Sequence, residues 1–79
     1  MSPTVFRERG YRFHFFSLEE SRMHVHVVAV DGTAKFWMEP KVELAMSNGL
    51  SKKDINCLES IVKEHKDEIA EAWRCHFGC

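Results

Sequence analysis

The chain has 79 residues, of which 44% are hydrophobic and 29% are charged, and its formal net charge is −1. A chain this short buries about 60% of its unfolded surface on folding, which is enough for one small core and excludes a second domain. No apolar run approaches the roughly 18 residues that cross a bilayer, and the start lacks the pattern of an export signal. The sequence therefore predicts one soluble, cytoplasmic domain over residues 1–79, with no contact with a membrane.

The first half of the chain predicts short β-strands within residues 4–46. From Tyr11 to Phe16 the apolar and polar residues alternate until the last position, as they do in a half-buried strand. A similar alternation between Val42 and Met46 favours another short strand after Pro40. These segments predict a small antiparallel sheet of three to four strands.

The clearest local signal is the pair Asp31-Gly32 between two β-forming runs. Asp-Gly favours a two-residue type I′ turn, because both turn positions need a positive φ. With that turn, His24 would lie opposite Glu39, and His26 would lie opposite Trp37. One face of the hairpin would be apolar, and these four residues would lie together on the other face.

The second half of the chain predicts one long helix, from about residue 52 to residue 77. Ser51 to Asp54 resembles a capping box, and apolar residues then recur at helical spacing as far as Phe77. Such a helix would be about 40 Å long, whereas a sheet of short strands spans about 20 Å. The fold class is therefore α+β, with a helix that must overhang the sheet or bend. An overhanging end that bears Trp73 and Phe77 would bind a partner.

The histidine face of the hairpin is the first candidate site. His24 and His26 point to the same side of one strand, and the expected register adds Trp37 and Glu39. Two histidines and a carboxylate can bind zinc or iron, but no further ligand has a defined spacing, so we expect no metal and no cofactor. The face is instead a solvated polar surface or a contact for a partner. On the helix, His65 and His76 fall in the apolar stripe, where neutral core histidines are expected.

The three cysteines do not form a disulfide framework, because their number is odd. Cys57 and Cys75 would lie about 27 Å apart on one helix, too far for a bridge. Cys75 or Cys79 could form an intermolecular disulfide near the end of the chain, which would give a homodimer.

Nucleic-acid contact and catalysis have weaker support in the sequence. Arg9 to Phe16 partly matches an RNA-binding strand motif, yet the chain lacks the two helices of that fold. We do not expect direct nucleic-acid binding, although Arg7, Arg9 and Arg12 form a basic corner that could supply it. No nucleophile elbow or phosphate-binding loop is present. A toxin-type RNase that uses His24 and His26 in acid–base cleavage is the one enzyme hypothesis that we retain.

Several segments resemble a bacterial family of unknown function, the one numbered 4160. They extend over essentially the whole chain and are Pro3–Arg7, Gly10–Phe13, His24–Val27, Ala34–Pro40, Gly49–Ser51, Glu71–Trp73 and His76–Gly78. The resemblance implies a small bacterial or phage-borne protein, encoded beside another short protein in a toxin–antitoxin-like pair. It implies no catalytic residue.

Together these observations predict a non-enzymatic protein that binds and blocks a protein partner. The partner would be a toxin or a larger defence machine such as a CRISPR complex. The binding residues would be His24, His26, Trp37 and Glu39 on the sheet, or Trp73 and Phe77 on the helix end. The alternatives are a small RNase, or a nucleic-acid- or metal-binding module that uses the His24/His26 face.

Overall fold

The computed structural model describes residues 4–15 and 22–77. The strands are β1 (Thr4–Glu8), β2 (Tyr11–His14), β3 (His24–Val28), β4 (Thr33–Trp37) and β5 (Glu43–Asn48), and the helices are α1 (Lys52–Glu64) and α2 (Lys66–Phe77). Each strand pairs antiparallel with the next, so the order of strands in the sheet follows the chain. The α+β class is confirmed, but the sheet has five strands rather than three or four, and two helices replace the single long one.

The fifth strand arises from a tight turn near the start of the chain. Glu8 pairs with Tyr11, which leaves only Arg9 and Gly10 in the loop between β1 and β2. Arg9 has a φ of 54° and Gly10 a φ of 83°, so both turn positions have the positive φ that a type I′ turn requires. The two-residue hairpin of this chain is therefore the first one, and β1 is added to the sheet by it.

The predicted two-residue turn at Asp31-Gly32 is wrong. Val28 pairs with Thr33, so β3 and β4 are joined by the four residues 29–32, and the Ala29 amide donates to the Gly32 carbonyl oxygen at 2.8 Å. His24 consequently lies opposite Trp37 rather than opposite Glu39. Because the register differs by two residues, every side chain keeps its predicted face, and the apolar face of the hairpin is confirmed.

Close backbone contact explains the glycine of this loop. A Cβ atom on Gly32 would lie 2.0 Å from the Asn48 carbonyl oxygen, and one on Gly49 would lie 2.4 Å from the Asp31 carbonyl oxygen. The loop thus packs directly against the end of β5, and neither glycine can gain a side chain without a backbone shift. Gly32 has no positive φ, so it is needed for space rather than for a type I′ turn.

The helices pack against one face of the sheet. Buried side chains of the strands and helices form one cluster, which comprises Phe13, Phe15, Val25, Val27, Ala34, Phe36, Met38, Leu58, Ile61, Val62, Ile69 and Trp73. Ser51 caps α1 by accepting a hydrogen bond from the Asp54 amide at 3.1 Å, which confirms the predicted helix start. No helix among the described residues is long and apolar enough to cross a membrane.

The single helix predicted for residues 52–77 is wrong, because the helix breaks at His65. This residue has a φ of −101° and a ψ of 19°, and it separates α1 from α2. Helical hydrogen bonds nevertheless continue across the break, from the His65 amide to the Ile61 carbonyl oxygen at 3.0 Å and from the Ile69 amide to the His65 carbonyl oxygen at 2.9 Å. Trp73 in α2 is only 8% exposed, so it does not lie on an overhanging end. The side chain of Phe77, and Cys79 as a whole, lie outside the described part of the chain.

Substitution of Gly32 by alanine should destabilise the fold more than substitution of Gly10. G32A places a methyl group against the Asn48 backbone, whereas a Cβ on Gly10 meets nothing within 4 Å and adds only the cost of a positive φ. We expect a loss of about 1 kcal/mol for G10A and a clearly larger loss for G32A, measured by urea unfolding. Equal losses would mean that the loop and β5 are not in contact.

Candidate functional site

The sheet face opposite the helices, here called the open face, carries the outward side chains of all five strands. Strand pairing arranges these side chains in three rows. The first row contains Arg7, Arg12, Val28, Thr33 and Asn48, the second His14, His26, Lys35 and Met46, and the third His24, Trp37 and Glu43. Two of these side chains, His14 and His24, are nonetheless buried, and Trp73 of α2 lies against His24.

A shallow hollow lies in the middle of the open face. It measures about 180 Å³, and His26, Val28, Lys35 and Met46 are among its lining residues. Met46 is 64% exposed and Val28 is 38% exposed, so the rim presents apolar surface to solvent. The two apolar side chains lie on opposite sides of β4, and the hollow connects them. Exposed apolar surface of this kind is a feature of contact sites.

Beside the hollow, two cations lie on the ring of Trp37. The guanidinium carbon of Arg22 is 4.1 Å from the ring centroid, and the Lys35 ammonium nitrogen is 4.5 Å from it. Arg22 also donates from Nε to the Glu39 carbonyl oxygen at 3.0 Å, and the Glu39 carboxylate accepts from the Met23 amide at 3.0 Å. These contacts fix the guanidinium in place, since cation–π stacking and a backbone hydrogen bond act on it together.

The open face and its border are basic. Among the described residues, Arg7, Arg12, Lys35 and the stacked Arg22 contribute four cations, against the two carboxylates of Glu43 and of Glu39 beside Arg22. The helices, in contrast, carry both signs in nearly equal number, including the exposed Glu59–Lys63 pair at 3.0 Å. With a net charge of only −1, the chain concentrates positive charge on one side.

His24, a predicted binding residue, is fully buried. Its ring lies 5.6 Å from Trp37 on the sheet and 5.1 Å from Trp73 on α2, and its Nδ1 donates to the Arg22 carbonyl oxygen at 2.7 Å. The expectation of a solvated His24 is therefore wrong, because Trp73 of α2 and Trp37 enclose its ring. His26 remains half-buried on the open face, with its ring 5.6 Å from the buried His14.

The predicted histidine–carboxylate set does not form a metal site. In the part of the chain that the structure describes, no three His, Cys, Asp or Glu side chains converge in a way that could hold a metal ion. Two causes are visible: the register places Trp37 rather than Glu39 opposite His24, and the Glu39 carboxylate is bonded to the Met23 amide.

His65 joins the helix break to the sheet, a role that the sequence did not reveal. Its Nε2 lies 2.8 Å from a Glu8 carboxylate oxygen, and its Nδ1 lies 2.9 Å from Glu68. Phe6 packs on the ring with centroids 4.4 Å apart. Hydrogen bonds to Glu68 and Glu8 raise the pKa of His65, because both favour the imidazolium. The prediction that His65 is a neutral core histidine is therefore wrong. The same prediction for His76 is also wrong, because His76 is exposed.

The predicted basic corner divides between two sides of the molecule. Arg7 and Arg12 pair across β1 and β2 on the open face. Arg9 lies in the turn, and its Nη1 is 3.8 Å from the Cys57 sulfur of α1. Cys57 and Cys75 are not in disulfides, and Cys75 is exposed. A homodimer linked through Cys75 or Cys79 stays a prediction.

A family model for a domain of unknown function, DUF4160, matches residues 10–74. The chain belongs to this family. The match runs from the β1–β2 turn to Arg74 in α2, so it includes most of the sheet and the helix break. Comparison with curated proteins and with solved structures gave no match. Membership of DUF4160 confirms the resemblance seen in the sequence and assigns no activity.

The contribution of His65 to stability should decrease as the pH rises. Its pKa is raised in the folded state, so its contribution is complete below the ordinary value of 6.5 and is lost as the pH passes the higher folded value. We expect the wild type to exceed H65Q by about 1 kcal/mol at pH 6 and to lose that advantage by pH 9. Urea unfolding of both proteins at each pH measures this difference. A difference that does not vary with pH would contradict the contact of a charged His65 with Glu8 and Glu68.

Replacement of Trp73 by alanine should lower the free energy of unfolding, because Trp73 belongs to the core and not to an exposed binding site. Trp73 packs edge-on against Phe15 at 5.3 Å and is nearly buried, so W73A removes core contacts. We expect a loss of about 3 kcal/mol in the free energy of unfolding. A W73A protein as stable as the wild type would restore the overhanging helix end as a surface feature.

Proposed function

We propose that this protein is a non-enzymatic interaction protein that binds another protein through its open face. One observation carries the proposal: a five-stranded sheet has both helices on one side, and its other side presents exposed Met46 and Val28 beside a hollow. Protein contact sites commonly combine apolar side chains with a polar border that includes arginine. Arg12 and Lys35 supply cations next to the apolar rim.

A protein partner fits this face better than a nucleic acid does. Proteins that bind single strands stack bases on the faces of aromatic rings. Apart from the histidines, the rows of described residues on the open face contain one aromatic side chain, Trp37. Arg22 and Lys35 lie against its ring. The cations would attract phosphate as well as carboxylate, but the ring is already engaged and does not offer a free stacking platform.

The RNase alternative receives little support from the geometry. Acid–base cleavage needs an imidazole within hydrogen-bond distance of the reacting oxygen. His24 is fully buried between Trp37 and Trp73, so an RNA chain does not reach it. His26 alone would have to supply both the acid and the base.

A protein of this kind would act by occupation, by covering a surface that its partner needs. An antitoxin-like protein or an inhibitor of a larger defence complex acts in this way. The resemblance implies that the gene is one of a pair. The product of the adjacent reading frame is therefore the first partner to test.

The test uses two variants that add the same charge on opposite sides of the molecule. M46E adds a carboxylate at the exposed rim of the open face, and S60E adds one at an exposed position of α1. The full chain and the adjacent gene product are mixed, and the affinity is measured by calorimetry with light scattering for stoichiometry. We expect M46E to weaken binding at least about tenfold, because a charge would be buried against the partner, and S60E to bind as the wild type does.

Circular dichroism spectra and unfolding midpoints of both variants show whether they fold. Loss of binding by S60E with retention by M46E would place the interface on the helices. Absence of any complex with the adjacent gene product would contradict the proposed function in its gene-pair form.

A further inference from the structure

The guanidinium of Arg22 that stacks on Trp37 has N–H groups beyond the one bonded to Glu39. Arg22 uses its Nε for the Glu39 carbonyl oxygen, and its guanidinium carbon lies over the Trp37 ring. The remaining N–H groups of a guanidinium are on its terminal nitrogens, which form the fork that binds a carboxylate with two hydrogen bonds. Because stacking already restricts the side chain, little conformational entropy remains to be lost on binding.

Lys35 brings a second positive charge to the same ring. Its ammonium nitrogen is 4.5 Å from the Trp37 centroid, and the same side chain lines the hollow. Both cations therefore lie close to one ring and concentrate positive charge beside it. A carboxylate placed there would meet complementary charge, which favours encounter and fixes orientation.

The hollow beside the stack accommodates an apolar group. Its rim includes Val28 and Met46, and Lys35 connects it to Trp37 along β4. Lys35 and Trp37 are two residues apart on one strand, a separation of about 6.6 Å. An extended segment that runs along β4 repeats its own side chains at the same interval, so its residues at positions i and i+2 can face the stack and the hollow together.

We infer that the open face recognises an extended acidic segment of a protein partner, with one carboxylate against Arg22 and Lys35 and one apolar side chain in the hollow. This inference rests on the proposed function and names the chemistry of its partner. The four cations of the face and its border outnumber the carboxylates of Glu39 and Glu43, which matches an acidic segment, and the apolar rim distinguishes the contact from a purely electrostatic one.

The experiment uses blocked seven-residue peptides with Glu-Thr-Leu at the centre, titrated into the isotope-labelled full chain. The indole N–H signal of Trp37, assigned with the W37F variant, reports on the stack, and the signal of Trp73 serves as an internal reference. We expect the Trp37 signal to shift with saturation. A Gln-Thr-Leu peptide and a Glu-Thr-Ser peptide should each bind at least about fivefold more weakly, because one loses the charge and the other the apolar group.

Protein variants complete the test. R22Q and K35Q should weaken binding of the Glu-Thr-Leu peptide by a similar factor. K63Q should not, because Lys63 pairs with Glu59 on the helical side. Equal affinity for the glutamate and glutamine peptides, or no shift of Trp37 with any peptide, would overturn the inference. A shift of Trp37 by a twelve-residue oligothymidylate at lower concentration than by the peptide would also overturn it and favour nucleic acid.

The adjacent gene product separates this inference from the proposed function. A complex that forms equally well with wild type, R22Q and K35Q would leave the open-face function standing and remove the acidic segment. A failure of that complex to form, with peptide binding intact, would remove the gene-pair partner while retaining the carboxylate receptor.

Discussion

The break of the C-terminal helix at His65 is the constraint on which the rest of the structure depends. After this break, α2 contributes Ile69 and Trp73 to the core. The imidazole is held between carboxylates of β1 and α2, so a polar bridge joins the start of α2 to the first strand. A charge-assisted contact is suited to this position because it is directional, while hydrophobic packing is not.

The break also determines which part of the sheet remains available. Both helices are used on the inner face, and Trp73 reaches His24 at the end of the sheet. Of the residues that the sequence assigned to a binding face, Trp37 and His26 remain partly accessible while His24 is covered. The candidate site is therefore displaced from the histidines toward Arg22, Lys35 and the apolar rim of the hollow.

The sequence predicted the fold class, the cap at Ser51 and the apolar face of the central hairpin, because these follow from local patterns of period two and from capping chemistry. It did not predict the register of that hairpin, since the contact of Gly32 with the Asn48 backbone joins segments far apart in sequence. The sequence left open whether the helix overhangs the sheet or bends, and it did not place the break at His65, because its partner Glu8 lies 57 residues earlier. Cation stacking on Trp37 likewise depends on Arg22, which precedes the hairpin and follows no periodic pattern.

The consecutive order of the strands has a consequence for how the chain folds. Every strand pair joins neighbours in sequence, and the first turn contains only Arg9 and Gly10, so each pairing closes a short loop at a small cost in entropy. The contact between Glu8 and His65 closes a much longer loop, since it joins the first strand to the helix break 57 residues later. Strand pairing thus joins segments that are close in sequence. Contacts between segments far apart in sequence form when the helices dock on the sheet.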